Sequence, residues 1–342
     1  MRRPLAFRPL PLVVALVPLI VACSDTDAAG GGSAPGDASS EGSPTLDGSS
    51  APSDAATEAG PGVVPARDRR GAEALAVRAI VPRDTEPGLR EGDPVHLYVE
   101  AAAPAAGKLF VFLPGTGGPP FGYVRILKNA AMGGYDAVGL AYVNDVAVNS
   151  LCRPAEPTCH AEVREEVITG ADLSPLVAVE RVDSIEHRLV ALLRHLGLER
   201  YLDGDAPRWE SIAFAGHSQG GGHAAFLGKR HLVHRVVLFA ATEAAPWTRA
   251  PGETPPLRHY GFMHTEDPLF AGFAPSWENL AIPGALTSVD GASAPFGGSQ
   301  RLTTSLPATD GKPHNTPVVD PSTPMDGDEP VYRDVWAYLV GP

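Results

Sequence analysis

The sequence predicts an α/β protein, a mostly parallel eight-stranded sheet with helices on both faces, and two observations carry that expectation. From about residue 70 onward, short apolar, β-branched runs alternate with segments of helical period, the pattern of strand–helix–strand units whose sheet is covered on both sides. A Gly-x-Ser-x-Gly sequence then falls between one such strand and a segment of helical character that opens with small residues.

Residues 1–22 lie outside that pattern. Arg2, Arg3 and Arg8 precede an apolar run, Leu10 to Ala22, that is broken by Pro18. The run is too short to span a bilayer and reads as a signal peptide. It ends in Ile20-Val21-Ala22-Cys23, which resembles the lipobox of bacterial lipoproteins and implies cleavage before a lipidated Cys23. A secretory signal cut nearby at small residues is the plainer alternative. Residues 24 to about 65 are mostly Gly, Ala, Ser, Pro and Asp, with no Lys or Arg and almost no large apolar side chains. Such a composition cannot bury enough surface to offset its ordering entropy, so 23–65 is expected to be a tether. The folded domain is expected over 66–342, and the protein to be exported to the bacterial cell envelope, touching the membrane through its lipid alone.

The chain has only three cysteines. With Cys23 lipidated, Cys152 and Cys159 remain, close enough to form one short disulfide in an exported protein; the alternative is two reduced thiols. Their spacing is longer than that of common zinc ligand pairs and only His160 adjoins them, so a metal site is not expected.

Strands are expected at 74–81, 95–100, 108–113, 135–142, 211–216, 235–240, 259–264 and 285–289. The clearest helix is 179–197, where Val182, Ile185, Leu189, Leu192, Leu193 and Leu196 recur three and four apart. Shorter helices fit 121–132, 219–231 and 329–340. No internal repeat is present.

The strand at 211–216 runs into Gly216-His217-Ser218-Gln219-Gly220. A nucleophile in a sharp turn at the carboxyl edge of a sheet needs neighbours without bulk two positions before and two after it, and glycines occupy both. With this elbow and the loop Leu113-Pro-Gly-Thr-Gly-Gly118, the chain resembles the α/β-hydrolase superfamily over roughly residues 70 to 342. In particular it is similar to secreted bacterial and fungal hydrolases with a Pro-Gly-Thr-Gly-Gly loop. The resemblance implies the α/β-hydrolase fold with a small cap and a triad in the order Ser, acid, His.

Ser218 needs a base, and beyond position 267 the chain has a single histidine, His314. For the acid, Asp267 follows the strand at 259–264, where this fold usually carries it; its task would be to fix the imidazole tautomer and stabilise the imidazolium. Glu243, after the strand at 235–240, is the rival, and Asp290 and Asp310 are weaker candidates that also suit solvated turns. The family geometry would take oxyanion-hole N–H groups from Thr116 and Gln219, with Gly115, Gly117 and Gly118 letting that backbone approach substrate.

Other histidines have ordinary readings. His217 is expected to pack beneath the nucleophile and His264 to support the acid turn. His223, His231 and His234 lie on or after the helix that follows the elbow, and no metal set is suggested. The loop 145–178 and the Pro-rich stretch 244–257 with Trp247 are expected to select substrate, and both are too short for a large lid. No Gly-Lys-Ser/Thr follows the Gly-rich loop, so a phosphate site is not expected, and no cofactor is implied. Forty acidic against 27 basic residues, a formal charge of -13, disfavour nucleic acid and anionic lipid surfaces. The function so implied is hydrolysis of a small-molecule or lipid carboxylic ester through an acyl-enzyme. A peptidase or amidase of the same fold, or a surface lipoprotein that only binds a ligand, is the alternative.

Overall fold

The protein is described by a computed structural model over residues 69–341, apart from 104, 154 and 155. The expected signal peptide, Cys23, the tether and the domain start at 66 lie outside the described residues. The chain divides into two units, Met1–Gly60 and Pro61–Pro342, and all described residues belong to the second.

That unit is built on a nine-stranded sheet. The strands are β1 (Arg78–Ile80), β2 (His96–Val99), β3 (Lys108–Leu113), β4 (Tyr135–Gly139), β5 (Ile212–His217), β6 (Arg235–Phe239), β7 (His259–His264), β8 (Thr287–Ser288) and β9 (Arg301–Thr304). Their order in space is β1-β2-β4-β3-β5-β6-β7-β9-β8. β2 is antiparallel to both its neighbours, and every other pairing is parallel. The longer helices are α1 (Val124–Met132), α2 (Cys159–Thr169), α3 (Ile185–His195), α4 (Gln219–Arg230), α5 (Phe270–Asn279) and α6 (Arg333–Val340).

The period of two along β3 divides the core. Leu109, Val111 and Leu113 pack into one apolar cluster with Leu189, Leu192 and Leu193 of α3 and Ala224 to Leu227 of α4. Phe110 and Phe112 face the other way, into a cluster with Ile126 and Leu127 of α1 and Trp336 and Leu339 of α6. Both faces of the sheet are thus covered, which is why its central strands read as nearly continuous apolar runs. A mostly parallel sheet between two helical layers, with a strand–Ser–helix turn at its centre, is the α/β-hydrolase fold.

All eight expected strands form, most of them shorter than read. The ninth, β9, is not among the expected strands; it lies between β7 and β8. Only Leu302 is strongly apolar in Arg301-Leu-Thr-Thr, so no hydrophobic period marks it. Burial of Thr304 is made tolerable by its hydroxyl, which donates to Asp290 Oδ1 at 2.6 Å. The expected helix at 179–197 starts at Ile185, because Ser184 caps it by accepting from the His187 N–H.

Helix α2 lies inside what the sequence presented as loop. Its buried face includes Arg164 and Glu166, charges that hide the apolar stripe. Glu166 accepts the main-chain N–H groups of Leu173, Ser174 and Val179, so it ties down the loop that follows. The other long helix outside the expected ones, α5, contains Pro275, which breaks a helical reading.

Cys152 and Cys159 are disulfide-bonded at the start of α2. Closing so short a loop is expected to contribute about 2 kcal/mol. Alkylation without reductant should leave both residues unlabelled in mass spectra; two alkylated thiols in exported protein would contradict the bond.

Candidate active site

Ser218 stands between β5 and α4 with φ 52° and ψ -119°, a left-handed conformation that a non-glycine residue holds at a cost of about 1–3 kcal/mol. The strain is locked in from both sides. The Ser218 N–H donates to Phe239 O of β6 at 2.9 Å, and its carbonyl accepts from Gly222 N at 3.1 Å. A Cβ on Gly216 would lie 2.3 Å from the Gly220 backbone, and one on Gly220 2.0 Å from Leu113 O. Both motif glycines are therefore required by close backbone approach. The residues flanking Ser218 are buried while Ser218 itself is half-buried, so the turn carries its side chain toward the surface at the carboxyl edge of the sheet.

Asp267 and His314 meet at this edge from different segments. His314 Nδ1 lies 2.7 Å from Asp267 Oδ2; a carboxylate can only accept, so Nδ1 carries a proton, and in the neutral ring Nε2 keeps its lone pair. The Asp267 carboxylate is fully shielded from solvent, while His314 keeps about a quarter of its side-chain exposure. Asp267 Oδ1 also accepts from Leu269 N at 2.8 Å, which fixes the carboxylate plane at the entrance to α5.

His264 braces the turn that carries Asp267. Its Nδ1 accepts from Glu266 N and its Nε2–H donates to Leu306 O, each at 3.0 Å. The long segment from Ser305 to Pro324, which bears His314, contains no helix or strand and is held by side chains instead. Trp336 Nε1 donates to Pro317 O at 2.8 Å, and the Asp320 carboxylate accepts from Val124 N and Arg125 N at the start of α1.

The other carboxylates are engaged elsewhere. Glu243, largely shielded from solvent, makes a two-point ion pair with buried Arg164 and accepts from Trp247 Nε1 at 2.8 Å. Burial alone would raise Glu243, but Arg164 outweighs it and holds the carboxyl below its ordinary value. Asp290 takes Thr304 Oγ1, Ser305 N and Ser305 Oγ, and Asp310 takes Lys312 N and Ser322 Oγ. Both behave as turn residues.

Thr116 and Gln219 are brought together: Thr116 Oγ1 donates to Gln219 Oε1 at 3.0 Å. Gln219 Oε1 also accepts from Val148 N at 3.1 Å, so one carboxamide ties the Gly-rich loop to the segment leading into the disulfide. Gln219 is the first residue of α4, whose opening N–H groups have no intrahelical acceptor and favour developing negative charge. Arg164 reaches the same residue from below, its Nη1 donating to Gln219 O at 3.3 Å. Sequence reading missed Arg164, which lies 55 positions from Gln219 and carries no local signal.

The remaining histidines scatter. His223 is buried against the edge of the Tyr142 ring, and His231 stacks on Trp209. Among the described residues, no three His, Cys, Asp or Glu side chains gather as metal ligands.

The fold and this edge define a protein of α/β-hydrolase architecture with an elbow serine and a carboxylate-bound histidine. Among solved structures, a hormone-sensitive lipase from a metagenome library aligns at 14% identity and a TM-score of 0.38, covering 81% of this chain and 90% of that one. A membrane phospholipase A, a bacterial virulence factor, aligns at 14% identity and a TM-score of 0.26, over 51% of this chain and 42% of that one. No family model matches the chain. No curated protein matches it either.

Proposed function

We propose that the protein is a serine hydrolase that cleaves carboxylic esters through an acyl-enzyme, with Ser218 as nucleophile, His314 as base and Asp267 as acid. The observation that carries this reading is the His314–Asp267 hydrogen bond of 2.7 Å at the same sheet edge as the strained Ser218 turn. Ser218 Oγ attacks the ester carbonyl carbon while His314 Nε2 takes the hydroxyl proton. The carbonyl oxygen becomes an oxyanion and accepts the main-chain N–H groups of Thr116 and Gln219. The tetrahedral adduct collapses, the alkoxide leaves with the proton from His314, and the acyl group stays on Ser218. Water then attacks the acyl carbon, giving its proton to His314, and the acid departs as Ser218 regains the proton. Asp267 stabilises the imidazolium at both stages.

A fluorophosphonate probe is expected to label the wild-type protein and not Ser218→Ala, and that variant should lose about a millionfold in turnover of an activated ester. Faster turnover of aminoacyl amides than of acyl esters would move the reading to a peptidase. Absence of labelling in the wild type would leave a ligand-binding protein.

We also propose export and anchoring in the bacterial envelope through a lipidated Cys23. The Cys152–Cys159 disulfide supports an oxidising compartment. Cys23→Ser is expected to move the protein from the membrane to the soluble fraction; continued sedimentation with membranes would refute the anchor.

A further inference from the structure

We infer that His217, the residue before the elbow serine, is a positioning residue that holds the main chain of His314 and joins it to the Gly-rich loop through Tyr123. This rests on the assignment of Ser218 and His314 above.

The bond directions follow from the groups involved. His217 Nε2 lies 3.0 Å from the main-chain oxygen of His314. A carbonyl can only accept, so Nε2 carries the ring proton of a neutral imidazole and Nδ1 is bare. Nδ1 lies 3.0 Å from Tyr123 Oη, which must then donate to it. The Tyr123 oxygen in turn accepts from Gly115 N at 3.1 Å. One directed chain therefore runs from the Gly115 N–H through the Tyr123 hydroxyl to His217, and from His217 to the His314 backbone.

The chain links three segments far apart in sequence. Gly115 is next to Thr116, His217 is next to Ser218, and His314 sits in a segment with no regular structure to hold it. The rings of His217 and His314 stand 4.8 Å apart between centroids, tilted by 48°. A Cβ on Gly115 would come within 2.9 Å of His217 Nδ1, so the glycine is what lets the loop lie against this imidazole. His217 is buried, and burial, with His314 close by, lowers it to about 3. It therefore stays neutral when His314 becomes imidazolium, and the tautomer that the chain requires is preserved through turnover.

Three substitutions at 217 separate the arms. His217→Phe keeps the ring and removes both bonds. His217→Gln places an amide N–H where Nε2 stands and keeps the donation to His314. His217→Asn places an acceptor near Nδ1, keeping the Tyr123 arm and losing the His314 arm. With an ester substrate, His217→Phe is expected to lower kcat by about 10- to 100-fold, the scale of a misplacement near 1 Å, with KM within about twofold. His217→Gln should recover most of that loss, and His217→Asn should stay as low as His217→Phe. The downfield proton resonance of His314 Nδ1 should remain sharp in the wild type and His217→Gln and broaden in the other two. Tyr123→Phe, which removes the loop arm and spares the His314 arm, should lower kcat by less than His217→Phe does; an equal or larger loss would overturn the primacy of the His314 arm.

An unchanged kcat in His217→Phe would overturn the inference, and so would equal losses in the Gln and Asn variants that follow their melting temperatures. Ser218→Ala and His314→Ala run beside these variants. If both are inactive while His217→Phe is fully active, the positioning role alone fails. If either retains full activity, the assignment of the triad itself fails.

Discussion

Asp267→Asn is expected to lower ester turnover about ten-thousand-fold with the fold intact, because an amide in place of the carboxylate favours the wrong imidazole tautomer. The geometry sharpens the comparison with Glu243. The Glu243 carboxylate is spent on Arg164 and Trp247, and Arg164 is almost fully buried. Glu243→Gln removes half of a buried ion pair and strands a guanidinium, a change that costs about 3–5 kcal/mol. The two variants should thus split cleanly. Asp267→Asn should lose kcat and keep its melting temperature, while Glu243→Gln should lose melting temperature and, below it, keep kcat within a few-fold. The reverse pattern would transfer the acid to Glu243.

Acid should destabilise the protein below about pH 6.5, through its buried histidines. Burial lowers His96 and His217 to about 3 and His259 to about 4, and pushes His223 well below its ordinary value. The hydrogen bonds agree, since His96 Nδ1 accepts from Ala141 N at 3.0 Å and could not do so protonated. In the unfolded chain these imidazoles take up protons below about pH 6.5. Their folded values are depressed, so the stability they contribute is complete above 6.5 and is lost as pH falls toward 4. Each excluded proton is worth about 1.4 kcal/mol per pH unit. One group opposes them: burial pushes Asp320 up to about 7, so the folded state holds a proton there that the unfolded chain releases.

The three histidines lowered to about 3–4, less one carboxylate, leave about two protons, a loss of about 2–3 kcal/mol between pH 6 and pH 5, and His223 and His160 act in the same direction. Against a total of about 5–15 kcal/mol for a typical domain, that is a large fraction. Urea midpoints at pH 7.5, 6 and 5 measure it, and a midpoint unchanged down to pH 5 would refute it. In His223→Leu, which removes an imidazole whose two nitrogens have no hydrogen-bond partner among the described residues, the pH dependence should be visibly shallower.

The sequence made the elbow legible because its constraint is local: Gly216 and Gly220 are forced by backbone approach within a few residues of Ser218. His314 was legible because the chain offers no other histidine after Asp267. What escaped was polar and long-range. β9 is a mostly buried strand whose Thr304 hydroxyl is satisfied by Asp290 and Tyr332, and α2 hides its face behind Arg164 and Glu166. The commitment of Glu243 to Arg164 spans 79 positions, and the Tyr123 link to His217 spans 94. No periodicity encodes either.

The insertion of β9 between β7 and β8 bears on how the molecule is made. β8 pairs with β9 and β7 pairs with β6 and β9, so a nascent chain that stops short of Arg301 leaves one edge of β7 without a partner. Phe262 and Met263, fully buried in the finished protein, would then lie on a strand open to pairing with another chain, a recognised route to aggregation. His314 is delivered by the same stretch of chain, just beyond the strand that closes that edge. An unfinished molecule would therefore lack both its seal and the proposed base, so the proposed activity should appear only once synthesis is complete.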